Sequence, residues 1–194
     1  MLRLNENTAE LVGVILGDGN IYSRKGNHEL RITLNKKESN YAEKISNLLK
    51  WTIFQEPKIT FPKNENSLRL RIQKKTSVMT FISLGLKSGS KTNSGSGVPE
   101  WIFLRKTFVK RCLRGLVDTD GSVYRLKPHW PNLWQLSFKN NNKSLLQDVR
   151  YMFEILEFHP SRIFGNRMVL TRQDEIVRYF KEIGTNNDKY SPVV

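Results

Sequence analysis

Apolar and polar positions along the chain follow two rhythms, and the order in which they alternate occurs twice. Leu11, Val12, Val14, Ile15 and Leu16 form a helical apolar run. Leu30-Arg31-Ile32-Thr33-Leu34-Asn35 then alternates strictly, as a half-buried strand does. Tyr41, Ile45, Leu48 and Leu49 return to helical spacing. A hairpin follows, with Lys58-Ile59-Thr60-Phe61 and Leu68 to Ile72 flanking a turn-like Pro62 to Ser67. Val78, Met79 and Ile82 mark a last helix. The second half repeats this order: Leu113 to Val117, Trp134 to Lys139, then Leu145, Val149, Met152 and Phe153. Its hairpin sets Arg162-Ile163-Phe164 and Arg167 to Thr171 about Gly165-Asn166, and Ile176, Val177 and Phe180 close it. The offset is 104 from Ile32 to Leu136 and falls to 98 past the shorter second turn. Each half therefore predicts helix, two strands, helix, two strands, helix. The halves span 1–87 and 101–194, joined by a Gly/Ser-rich linker over 88–100. Val98-Pro99-Glu100-Trp101 restarts order, and a helical run through Phe103, Leu104, Phe108 and Val109 leads into the second copy.

The first helix of each half ends alike. Leu11-Val12-Gly13-Val14-Ile15-Leu16-Gly17-Asp18-Gly19 returns as Leu113-Arg114-Gly115-Leu116-Val117-Asp118-Thr119-Asp120-Gly121. Gly13 and Gly17, like Gly115 and Thr119, are four residues apart and share one helix face. Small residues there let two helix backbones approach closely. Gly19 and Gly121 suit a left-handed position past a helix C-terminus, and Asn7, three residues before Glu10, suits an N-cap. Asp18 and Asp120 fall at helix C-termini, where the macrodipole disfavours a carboxylate by roughly 0.3–1 kcal/mol. Pairing the helices adds mutual repulsion. A divalent cation justifies the arrangement, and hard oxygen ligands suit Mg²⁺.

Lys and Arg outnumber Asp and Glu by 32 to 18, for a formal charge of +14. A polyanion is the expected substrate, nucleic acid before an anionic membrane surface. One cysteine, Cys112, excludes an intramolecular disulfide or a multi-Cys zinc site and reads as a buried thiol. No apolar run reaches membrane-span length. A reducing, intracellular compartment is expected, either the cytoplasm or nucleoid of a prokaryote or an organelle.

With both motifs and the patterns between them in view, the chain resembles a LAGLIDADG homing endonuclease of the single-chain, two-motif type. Asn20-Ile21-Tyr22, Ser122-Val123-Tyr124 and Val98 to Ile102 add to the likeness. The resemblance implies an α+β fold of two pseudo-symmetric αββαββα halves, with the motif helices at the interface and the antiparallel sheets forming a saddle over DNA. It implies a monomeric, intron-encoded type of enzyme that needs no obligate protein partner. The reaction implied is a Mg²⁺-dependent double-strand break in a long asymmetric DNA site, leaving short 3′ overhangs. Asp18 and Asp120 match the family's metal-binding acids, and Gly17 and Thr119 match positions whose carbonyls can join them. Asn35 and Lys36, with Lys139 and Asn140, match groups near the scissile phosphates. Lys74 and Arg172 open the last helices in comparable places. Leu16 departs from an acidic motif position that Asp118 keeps. An RNA maturase, or a DNA-binding protein that does not cut, is the alternative on the same fold. An intein is not expected, since the chain starts Met1-Leu2 and ends Pro192-Val193-Val194.

Strand alternation assigns the face turned to DNA. With Ile32 and Leu34 inward, Arg31, Thr33 and Asn35 point out, as do Lys58, Thr60, Arg69, Arg71 and Gln73. In the second half the outward set is Gln135, Ser137, Lys139, Arg162, Arg167 and Thr171. Tyr22, Arg24, Tyr124 and Arg125 begin the first strands. These types read base edges in the major groove, while loop lysines such as Lys36, Lys37, Lys63 and Lys91 meet phosphates. His28, His129 and His159 are not at metal-ligand spacing. Asp118 reads as a surface acid. Trp51, Trp101, Trp130 and Trp134 read as packing residues.

Overall fold

The computed structural model describes residues 4–89, 97–126 and 130–190, the side chains of 130–132 excepted. The linker residues 90–96, Lys91 among them, lie outside these residues, as does His129. So does the side chain of Trp130.

The first half runs α1 (Glu6–Asp18), β1 (Gly19–Arg24), β2 (Asn27–Asn35), α2 (Ser39–Ile53), β3 (Lys58–Thr60), β4 (Ser67–Ile72) and α3 (Lys75–Ser83). The second runs α4 (Lys106–Asp120), β5 (Gly121–Leu126), β6 (Trp130–Lys139), α5 (Lys143–Ile155), β7 (Arg167–Leu170) and α6 (Gln173–Glu182). Two antiparallel sheets result, ordered β1-β2-β4-β3 and β5-β6-β7. The α+β class and the repeat are as expected.

Alternation decides what each sheet buries. Ile32 faces Leu70 and Leu34 faces Leu68 across β2 and β4, and all four are buried beside Tyr41, Ile45 and Leu49 of α2. In the second half Leu136 faces Leu170 and Phe138 faces Met168, beside Leu145, Val149, Met152 and Phe153 of α5. Each such apolar side chain contributes about 1.5–3 kcal/mol by leaving water. The two cores merge into one cluster across α1 and α4.

Glycine sets the closeness of that seam. A Cβ on Gly13 would lie 2.1 Å from the Cys112 carbonyl oxygen, and one on Gly115 would lie 2.4 Å from that of Glu10. Neither backbone could move without parting the helices. Cys112 is fully buried, which pushes its thiol far up from the ordinary value. Glu10, also buried, pairs across the seam with Arg114 and with Arg111.

Several local expectations are corrected. Asn5, not Asn7, caps α1, accepting from the Thr8 amide at 2.9 Å. Gly19 and Gly121 are extended, at φ −83° and −81°. They are glycines for space: a Cβ would meet the Ile15 carbonyl at 2.7 Å and that of Val117 at 2.5 Å. The run from Phe103 to Val109 is not one helix. A 3₁₀ turn, Glu100–Leu104, ends at an extended Arg105 before α4 begins. The segment Arg162-Ile163-Phe164 forms only an isolated bridge, Phe164 to Arg167. The Val169 amide donates to the Ser161 hydroxyl at 3.1 Å, where a ladder would offer a carbonyl. Trp51 is 75% exposed, on the outer side of α2.

Candidate functional site

Both motif helices end at their aspartates. The cap amides of Gly19 and Gly121 bond back to the carbonyls of Ile15 and Val117, and β1 and β5 depart from there. Just before the ends, a Cβ on Gly17 would fall 1.9 Å from Thr119 Oγ1, so the two helix termini adjoin. Asp18 and Asp120 are half-buried at these termini. Asn140, beyond β6, donates from Nδ2 to Asp120 Oδ2 at 2.8 Å. The matching neighbourhood in the first half differs. Asn35 caps a 3₁₀ turn, Lys36–Glu38, accepting from the Lys37 amide at 3.0 Å, while Glu38 accepts from the Asn35 amide. Lys36 and Lys139 are exposed at the ends of β2 and β6.

Among the described residues no group of three or more His, Cys, Asp or Glu side chains could hold a metal. The donors at hand are two carboxylates and the helix-end carbonyls of Gly17 and Thr119. That hard-oxygen set, open to water and phosphate, fits Mg²⁺ or a similar cation.

A segment after α6 that the sequence did not mark lies across this seam. Asp118, expected at the surface, is fully buried beneath it. Thr185 Oγ1 donates to Asp118 at 2.5 Å and the Asn186 amide at 2.8 Å. Burial pushes the Asp118 carboxyl up to about 6 against these hydrogen bonds, and Glu10 adds to the rise. Asn187 Nδ2 donates to the Asp118 carbonyl and to Glu38 Oε1. The Tyr190 hydroxyl reaches the carbonyls of Val117 and Gly121 at 2.8 and 2.6 Å. Lys44 and Asn40 of α2 hold Asp188. The strap thus joins both halves. Between its anchors Lys189 Nζ donates to the Thr119 carbonyl at 3.1 Å. Partial desolvation lowers the Lys189 ammonium's pKa, against the pull of Glu38, Asp118, Asp18 and Asp120. Only the polar run Thr185-Asn186-Asn187-Asp188 signalled any of this, and it has no periodicity.

The outward strand faces lie largely where alternation put them. Arg31 stands opposite Arg71 and Thr33 opposite Arg69, with Lys58 and Thr60 completing the rows. Two acids on this side escaped notice. Glu29 accepts from Arg71 and Gln73 and pairs with Arg31 at 3.7 Å, and Glu65 holds Arg69. Glu29 shares the parity of Arg31, which was the signal available. Tyr22, Arg24 and Lys74 are exposed. In the second half Tyr124 donates to Gln135, and Lys139 stands opposite Arg167. Arg162, Thr171 and Arg172 are exposed, and Arg172 reaches Glu175 at 3.4 Å. Ser137 departs from the expectation: it is buried between Ser122 and Val169. Arg125 is exposed and lies over the Trp134 ring at 4.8 Å, where the register shifts.

A LAGLIDADG-like domain matches residues 107–184. The chain is 28% identical over 155 residues to a replication factor C small subunit of Methanocaldococcus jannaschii. It is 26% identical over 136 residues to a tRNA-splicing ligase RtcB of Methanopyrus kandleri. These alignments take in 76% and 63% of this chain but span only 8% and 14% of those much longer proteins. Among solved structures, the homing endonuclease I-DmoI in complex with DNA and Mn matches at TM-score 0.66 and 19% identity, over 92% of this chain and 96% of that one. The LAGLIDADG meganuclease I-AabMI bound to uncleaved DNA matches at TM-score 0.63 and 13% identity, over 97% and 87%. The second half thus matches a LAGLIDADG-like domain, and the fold is shared across nearly the whole chain with these single-chain LAGLIDADG structures.

Proposed function

We propose that this protein is a monomeric, site-specific DNA endonuclease that makes a metal-dependent double-strand break and leaves short 3′ overhangs. The observation that carries the reading is the carboxylate pair, Asp18 and Asp120, at two helix ends held together by interlocking small residues. Neither helix gains stability from an acid at that end. Asp18, Asp120 and the Gly17 and Thr119 carbonyls would hold Mg²⁺. When bound, Mg²⁺ supplies Lewis acidity for water attack and for the leaving oxygen. Asn140 holds the Asp120 carboxylate in one orientation. Lys36 and Lys139 bring positive charge to the phosphates on either side. Arg31, Arg69, Arg71, Gln73, Gln135 and Arg167 stand where they would read base edges, with Lys37 and Lys63 on the backbone. Because the two faces carry different side chains, the site read is long and asymmetric. The protein would act in a reducing compartment of a prokaryotic cell or an organelle.

The test is digestion of a library of long random duplexes with Mg²⁺ or with EDTA, followed by sequencing of the ends. Mg²⁺-dependent cuts at one long site, lost in Asp18→Asn and in Asp120→Asn, are expected. Specific binding by folded protein that never cuts would overturn the reading in favour of a binding protein or RNA maturase.

A further inference from the structure

We propose that Lys189 is a built-in counter-ion of the carboxylate pair, competing with a divalent metal for the Thr119 carbonyl oxygen. The inference rests on the metal-dependent reading above. Its basis is the strap. Asn187 and Tyr190 fix the chain on either side of Lys189 through the carbonyls of Asp118, Val117 and Gly121. This directs the Lys189 ammonium to the C-terminal end of α4, 3.1 Å from the Thr119 oxygen.

A cation at that place answers two physical needs. It satisfies a terminal carbonyl that has no partner within its helix. It also offsets the negative end of two helix dipoles and the acids gathered there. A metal taking the same oxygen must displace the ammonium, and must bind against its charge for as long as it stays near. Lys189 therefore satisfies the end of α4 without metal and raises the metal concentration the site requires. The stretch that follows α3 takes another course. Its Gly89 amide donates to the Ile21 carbonyl at 2.9 Å, and its Ser88 hydroxyl accepts from the Ser23 amide.

The experiment is a titration of Mn²⁺ into the DNA-free protein, with free Mn²⁺ followed by electron paramagnetic resonance, for wild type, Asp18→Asn, Lys189→Met and Lys189→Arg. The expected result is Asp18-dependent binding that tightens roughly tenfold in Lys189→Met, the scale of one cation's repulsion at a solvent-facing site. Lys189→Arg should stay near wild type. In cleavage assays, Lys189→Met should reach half-maximal rate at lower Mn²⁺. Unchanged or weaker Mn²⁺ binding in folded Lys189→Met overturns the inference, as does wild type with no Asp18-dependent binding. Cleavage by wild type together with an unshifted Lys189→Met affinity sinks the inference and leaves the endonuclease reading standing. A shifted affinity in a protein that cuts no DNA does the reverse.

Discussion

The two halves are alike where their backbones touch and in the pattern of their cores, and unlike on the faces and turns they expose. Gly13 with Gly115, and Asp18 with Asp120, hold equivalent places at the seam. One step away, Leu16 lies in the core where Asp118 lies under the strap. The first sheet has four strands and the second three. Arginines on the first face are held by Glu29 and Glu65, whereas Tyr124 and Gln135 pair without charge on the second. The seam tolerates little variation because a single atom would part the helices. Away from it, a single chain lets each half change on its own.

The sharpest way to break the likeness is at the seam. Gly115→Ala puts a methyl 2.4 Å from the Glu10 carbonyl, against backbone that cannot yield. It should lower stability by about 3 kcal/mol in urea unfolding. Gly17→Ala instead meets the Thr119 side chain, Oγ1 at 1.9 Å and Cβ at 2.6 Å. Thr119→Gly removes that obstacle, so the double variant should regain most of the loss from Gly17→Ala. If Gly115→Ala unfolds at the wild-type urea midpoint, the close-packed seam is wrong.

Making the halves more alike at the next position should also do harm. Asp118→Leu copies Leu16 into the second motif but strips the acceptor from the Thr185 hydroxyl and the Asn186 amide. Leaving those donors unpaired costs about 2 kcal/mol, or roughly 4–8 °C in Tm for a chain of this size. Amides of the strap should also exchange faster in deuterated solvent. The reciprocal change, Leu16→Asp, buries a carboxyl where an apolar side chain now packs and should destabilise at least as much. Strap amides unaffected by Asp118→Leu would show that Asp118 does not hold it.

How far the sequence reached follows from which forces leave a periodic trace. Helix and strand faces do, so Ile32, Leu34, Ile45 and Leu136 read directly into the core, and the motif repeat located the seam. Alternation also placed Arg31, Arg69 and Arg71 on one face. It failed at Ser137, whose small side chain is covered by neighbours although its parity is outward. The missing strand at Arg162 to Phe164 turned on a side-chain hydroxyl replacing a carbonyl, which no pattern of apolar positions encodes. The strap was invisible for a deeper reason. Its contacts are hydrogen bonds between residues far apart in sequence, such as Thr185 with Asp118, and they leave no period.

At the site itself, comparison turns on two asparagines at the ends of central strands. Asn140 touches Asp120, whereas Asn35 caps a turn. Asn140→Ala should slow cleavage about ten- to a hundredfold, as loss of a group that orients a metal ligand does. Binding should persist, and the effect should fall more heavily on one strand, so that nicked product accumulates. Asn35→Ala should instead lower stability by about 1 kcal/mol, as loss of a cap does, with both strands cut at similar rates. Equal strand bias in the two variants would show that the asparagines do the same work after all.

The smallest effect concerns where the strap meets the first half. Hydrogen bonds from Lys44 and Asn40 hold the Asp188 carboxyl below its ordinary value of 3.8. A depressed folded value means that this carboxylate stabilises the protein above the unfolded value and loses that contribution as pH falls through the folded one. The pair is solvent-exposed, so the effect is slight and weakens with salt. Wild type and Asp188→Asn, compared by Tm at low ionic strength, should therefore differ most at neutral pH. The difference should shrink as pH drops below the ordinary carboxylate range. Asn keeps one acceptor for Lys44 but loses the oxygen that accepts from Asn40, so only the pH-dependent part of the difference reports the charge. A difference that persists undiminished in strong acid would mean that the contact works through shape alone, and that the strap's hold on the first half is indifferent to pH.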